Sequence, residues 1–231
     1  MTVRAPLLLA LAATLLAATS AAATPPRVVN MFDRLFGRTD GSVLILREVT
    51  DNHGLHTVRQ IDTLLITRDL ATGGDTRYRA VDRILDLGPE ADPRIAAPVL
   101  VDPVNPYRAR AADGAWPLDD PRFGEEVTLG PMGLELTTYD GETFELPLEN
   151  FSAHLERTLA ATRAVLPPVE VDGAEAADSF DAAAYDSPLE ECSGVTGMRL
   201  GPDEPALALV ACEDLETGQQ VRVWVVVPPL E

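Results

Sequence analysis

The sequence predicts a mainly antiparallel β protein, a sandwich or partly open barrel of roughly eight to ten strands, α+β only through a single covering helix. Its C-terminal end is expected to be a disulfide-closed β-meander. Three observations carry this expectation. Runs rich in Val, Leu, Ile and Thr recur between clusters of Gly, Asp and Asn. Only one stretch sustains convincing helical spacing of apolar residues. The two cysteines, Cys192 and Cys212, flank a hairpin pattern.

The chain opens with Arg4, an apolar and small-residue run from Ala5 to Thr19, and Ala21-Ala22-Ala23. This is the pattern of a secretory signal over residues 1–23, cleaved before Thr24. The run is too short to persist as a membrane helix, and Pro25 and Pro26 follow it. No cysteine stands near the cleavage point to carry a lipid anchor. The expected location is therefore the periplasm or the extracellular space, with no stable membrane span. About 200 residues remain, enough for one sizeable domain or two small ones.

Within the mature chain, Val28, Phe32, Leu35 and Phe36 suit one helical face. Strands are expected next: Ser42 to Thr50, a turn at Asp51-Asn52-His53-Gly54, a long run from Leu55 to Leu70, a turn at Ala71 to Asp75, and Thr76 to Leu87. Gly88 to Gly124 contains seven prolines, so little regular structure is expected there beyond a short strand near Val99 to Val101. Asp140-Gly141, between alternating runs Gly133–Tyr139 and Glu142–Leu148, is a strong hairpin signal. Asn150 can cap a helix carrying Phe151, Leu155, Leu159 and Leu166 to its stop at Pro167-Pro168. The last meander runs Val195–Leu200, Ala206–Asp214 and Gln219–Val227.

The expected organisation is a main β domain over residues 24–166 that ends in the helix at about 150–166, an acidic linker over 167–191, and a small β unit over 192–231 packed on the main domain. In an exported chain Cys192 and Cys212 are expected to pair, because folding about Pro202 sets them opposite each other. Closing that loop is worth roughly 3 kcal/mol in the chain-entropy view. Asp69-Leu70-Ala71-Thr72-Gly73, with Arg77 and Val81 beyond, parallels Asp214-Leu215-Glu216-Thr217-Gly218, with Arg222 and Val226 beyond. A duplicated hairpin or shared turn chemistry would each explain the echo.

All 18 basic residues are Arg, and the net charge is −19. Such a field repels nucleic acid and anionic lipid and favours solubility, although a compositional bias without functional demand would also produce it. Two clusters could carry chemistry. Asp51, His53 and His56 combine a carboxylate with two imidazoles, a donor set able to hold Zn or a similar ion, but a regular strand would send positions 53 and 56 to opposite faces. Tyr107, Arg108, Arg110, Trp116, Arg122 and Phe123 gather aromatic and guanidinium groups in the proline-rich segment. These types favour binding hot spots and recognition of carboxylates or sugars, or else pin the loop to the sheet. No G-x-S-x-G, P-loop or dinucleotide fingerprint is present. No catalytic residue and no cofactor is assigned. The expected function is a non-enzymatic exported interaction module, with another envelope protein or a carbohydrate as partner. The alternatives are a metal-dependent hydrolase at His53 and His56, or an acidic structural or stress-related envelope protein.

Overall fold

A computed structural model describes residues 27–88, 100, 102–118, 126–130, 133–137, 141, 143–147, 157–158, 160–162, 164–166, 192–201, 204–215 and 218–227. The protein is mainly β, and its large sheet does not close. Four strands form the first meander: β1 (Val29–Arg38), β2 (Ser42–Asp51), β3 (Val58–Asp69) and β4 (Asp75–Leu87). A short helix, α1 (Pro106–Ala112), and the two-residue strand β5 (Trp116–Pro117) follow. A three-stranded sheet, β6 (Glu126–Gly130), β7 (Gly133–Thr137) and β8 (Thr143–Pro147), lies with β6 alongside β9 (Cys192–Arg199). The chain then completes β10 (Ala206–Asp214) and β11 (Gln219–Val227). The acidic segment 167–191 lies outside the described residues, as do residues 1–26 and Val99 and Val101.

The large sheet has the order β4-β3-β2-β1-β11-β10-β9, with β5 on β1. Its central joint is parallel: β1 meets β11 at Met31 and Val221 and at Phe32 and Arg222, so the C-terminal meander continues the N-terminal one edge to edge. Beyond these pairs β5 takes up the edge of β1, at Gly37 and Arg38. The sheet curls until β3 faces β11, and Arg68 Nη1 donates to the carbonyl of Trp224. The inner face gathers one apolar core from β1, β2, β3, β10 and β11, including Met31, Ile45, Leu64, Ile66, Leu207 and Val223. Helical residues within 157–165 approach this core: Leu166 belongs to it, and Thr158 and Thr162 are buried.

Val29–Arg38 corrects the helical expectation for Val28 to Phe36. The segment has period two, with Val29, Met31, Asp33 and Leu35 buried. Asp33 stands at an inward position and interrupts the apolar alternation, which hides the strand from a pattern search. Its partner makes that position tolerable. Arg47, directly opposite on β2, donates Nε to Asp33 Oδ1 at 2.6 Å and Nη2 to Oδ2 at 2.7 Å, and neither side chain is exposed.

The same device recurs on the inner face. Arg68 faces Asp75 across β3 and β4, with Nε 2.6 Å from Oδ1, and Arg83 faces Asp62, with Nε 2.5 Å from Oδ1. A one-residue slip would turn apolar side chains outward, so the hydrophobic pattern excludes it. A two-residue slip would preserve the faces. It is the charges that exclude it, because Asp33 would then oppose Ile45 or Val49 with no guanidinium, and Arg47 would keep only Asp75, 3.9 Å away.

Asp75 is shared by two arginines, Arg68 at 2.6 Å and Arg47 at 3.9 Å. Burial works to raise its pKa, but the charge and hydrogen bond of Arg68, with help from Arg47 and the Tyr78 hydroxyl, outweigh it and hold the carboxyl down at about 2. Burial pushes the Tyr78 phenol up, and its 2.6 Å hydrogen bond to Asp75 Oδ2 adds to the shift. Around Arg47, burial opposes the charge, yet Asp33 prevails and its pKa rises.

Cys192 and Cys212 are bonded and stand opposite each other in the β9–β10 register. The two echoing segments match at their described ends, each between two paired strands. Gly73 and Gly218 both take left-handed φ, +68° and +74°, and donate to the carbonyls of Asp69 and Asp214 at 3.0 and 2.7 Å.

Candidate binding surface

The outer face of β1, β2 and β3 carries a smaller apolar cluster of Phe36, Leu44, Leu46 and Leu65. Ala109 of α1 and Ala115 pack on it, which is how the proline-rich segment acquires its place. The expectation of little regular structure there is corrected by α1. Asn105 caps the helix, its Oδ1 accepting the Arg108 N–H at 3.0 Å, and Pro106 occupies the first turn, where its missing N–H is harmless. Asn105-Pro106 is a legible start signal that the surrounding prolines obscure.

Three contacts fix the corner made by α1 and β5. Arg110 places its guanidinium over the Phe36 ring, 4.5 Å from the centroid, and Nη1 donates to the Phe36 carbonyl at 2.9 Å. Tyr107 meets Phe36 edge-on at 5.2 Å, with Arg110 also 5.6 Å from its ring. Arg79 ties Asp113, just beyond the helix, at 2.6 Å. Gly37 makes the close approach possible, since a Cβ there would stand 2.9 Å from both Arg110 Cδ and the Trp116 carbonyl oxygen. Trp116 pairs with Arg38 in the sheet and lies 5.7 Å from its guanidinium. Arg38 in turn clamps the β9–β10 turn, donating to both Glu204 oxygens at 2.7 Å and to the Leu200 carbonyl at 3.0 Å.

The sequence-flagged residues therefore divide. Tyr107, Arg110 and Trp116 are held around Phe36 and Arg38 with their outer surfaces open, Tyr107 at 62% and Trp116 at 45% exposure. Arg108 is exposed, and its side chain makes no hydrogen bond or ion pair among the described residues. Arg122 and Phe123 lie outside the described residues. Phe36, Arg38 and Arg79 complete the corner and escaped the sequence search because each sits inside a strand pattern. Such a surface presents aromatic faces and guanidinium donors, a chemistry suited to gripping a partner.

Asp51, His53 and His56 are arranged differently. The Asp51 carboxylate accepts Arg27 Nε and Nη2, the closest at 2.6 Å, and the His53 backbone N–H at 2.7 Å. His53 adopts φ +53° and is buried, with its Nε2 2.8 Å from Gln60 Oε1. Gln60 donates through Nε2 to Asp62 Oδ2 at 2.5 Å, which makes its Oε1 the acceptor and His53 Nε2 the donor. His56 is exposed at the rim of a surface cavity. Among the described residues no three His, Cys, Asp or Glu side chains gather at one point as a metal ion would require. Among the described residues no helix is long and apolar enough to cross a membrane.

Comparison of the chain with protein families, with curated proteins and with solved structures found no match.

Proposed function

We propose that this chain is an exported, non-enzymatic interaction module of the cell envelope that grips another envelope protein at the α1–β5 corner. The supporting observation is the pair of exposed aromatic side chains, Tyr107 and Trp116, on a corner pre-organised by stacked arginines. Exposed large aromatics on a rigid base bury much area at little entropic loss when a partner covers them. Export is supported by the N-terminal signal pattern and is compatible with the Cys192–Cys212 bond.

The test is crosslinking in intact cells of the native host, with a tagged chain, followed by mass spectrometry of the captured material. Trp116→Ala with Arg108→Ala should abolish capture of a specific protein. Neither side chain belongs to a core cluster, so the thermal midpoint should stay within a few degrees of wild type. Unchanged capture by the folded double variant overturns the reading, and recovery of glycan in place of protein redirects it to a carbohydrate.

A further inference from the structure

We propose that a cavity at the opposite end of β1 is a second, independent binding site, one that takes a small organic anion with an apolar body, such as a monocarboxylate. The α1 helix covers only the Phe36 end of the outer face. At the Val28 end, the β2–β3 loop and the neighbouring strand ends line an open surface cavity of about 400 Å³, near the lower end of the range roughly 300–1,000 Å³ usual for small-molecule sites.

The loop is built to hold this shape. Asn52 Oδ1 accepts the N–H groups of Val28 at 2.7 Å and Gly54 at 3.0 Å, and the Leu55 N–H returns to the Asn52 carbonyl at 2.9 Å. Thr57 accepts the Gly88 N–H at 2.7 Å. The walls exist before any ligand arrives, which removes the ordering cost of binding.

The chemistry of the lining selects the ligand. Val28, Leu55 and Val58 supply the apolar wall. Asp51, the one acid in the lining, is neutralised by Arg27, and its oxygens are engaged by that guanidinium and the His53 N–H. Asn30 Oδ1 accepts the Gln220 N–H at 2.6 Å, which orients the amide and leaves its Nδ2 donor on offer. Arg59 and His56 line the cavity and make no hydrogen bond or ion pair among the described residues. Thr50 and His56 can each donate or accept, so the one charge in the lining left without a counter-ion among the described residues is the Arg59 guanidinium, a permanent donor. A carboxylate answers the Arg59 charge while its hydrocarbon body lies on the valines and Leu55. An amine of the same shape would bring a second positive charge beside Arg59.

The test is isothermal titration of the chain, as purified from its own host, with benzoate and with benzylamine. Saturable binding of benzoate and none of benzylamine is expected. Arg59→Gln should weaken benzoate about tenfold, the usual worth of a charge-assisted hydrogen bond. Leu55→Trp should abolish binding by filling the cavity. Arg59 is exposed, so its variant should keep the wild-type circular dichroism and thermal midpoint. The Trp116→Ala and Arg108→Ala double variant should bind benzoate as wild type does, which separates this site from the α1–β5 corner. No saturable benzoate binding, equal binding of benzylamine, or undiminished binding by folded Arg59→Gln each overturns the proposal.

Discussion

The Asp33–Arg47 pair offers the sharpest test of how this sheet is specified. Both side chains have zero exposure, and the pair is bidentate at 2.6 and 2.7 Å. Removing one partner of such a pair costs about 3–5 kcal/mol, against a total stability of about 5–15 kcal/mol for a domain. The two single variants differ in mechanism. Asp33→Leu leaves Arg47 buried and charged, because a guanidinium cannot shed its proton, with Asp75 3.9 Å away as its remaining counter-ion. Arg47→Leu leaves a carboxylate in apolar surroundings. Such a group escapes by taking up a proton, at about 4 kcal/mol at pH 7 and about zero near pH 4 for an ordinary carboxyl. The Arg47→Leu deficit should therefore shrink as the pH falls from 7 to 4.5, whereas the Asp33→Leu deficit should persist. The double variant leaves Arg68 and Asp75 balanced and should lose less than about 2 kcal/mol, far less than the sum of the singles. Urea unfolding followed by the fluorescence of Trp224, which is fully buried, reads all four species. Additive single effects, or an Arg47→Leu deficit independent of pH, would refute the reasoning. The double variant should also show extra amide signals in β1 and β2, since a two-residue slip no longer buries a lone charge.

Asp75, held at about 2 against an ordinary 3.8, favours the folded state by about 2 kcal/mol above pH 4, and this contribution is lost as the pH falls through about 2. Acid titration of stability should show that limb in wild type and a flatter one in Asp75→Asn, and parallel curves would contradict the assignment. The raised Tyr78 phenol acts at the other end, favouring the folded state below about pH 10 and ceasing to do so as the pH climbs higher. Tyr78→Phe should start from lower stability at neutral pH and lose less of it than wild type as an alkaline titration passes pH 10. Gly37→Val should push the Trp116 backbone away from β1 and expose Arg108 and Arg110 to trypsin, while the inner core keeps its near-ultraviolet dichroism from Trp224. Equal cleavage rates in wild type and variant would count against the close approach. Replacing both cysteines by alanine should lower stability by about 3 kcal/mol, read from the urea midpoint at constant slope.

Most strands were legible because their signals are local. Asp51 to Gly54 and Ala71 to Asp75 mark turns through side-chain acceptors and left-handed glycines, Gly141 does so by its left-handed φ, and the first runs alternate with period two. The pairing of Cys192 with Cys212 was equally plain, since a hairpin about Pro202 has only one register that joins them. Within the α1–β5 corner, Tyr107, Arg108, Arg110 and Trp116 could be named from their chemistry. Their supports, Phe36, Gly37 and Arg38, could not, since they belong to a strand more than 65 residues away in sequence.

By itself, then, the sequence determined the β class, the turns, the disulfide and the residue types at the α1–β5 corner, all of which depend on neighbours along the chain. Only the tertiary structure decided that β1 is a central strand, joined in parallel to β11, and that Asp33, Arg47, Asp62, Arg68, Asp75 and Arg83 face inward in matched pairs. A charged residue at an inward position looks like a break in the pattern until its partner is known. That partner is supplied by pairing between strands, whose energy does not exist in either strand alone.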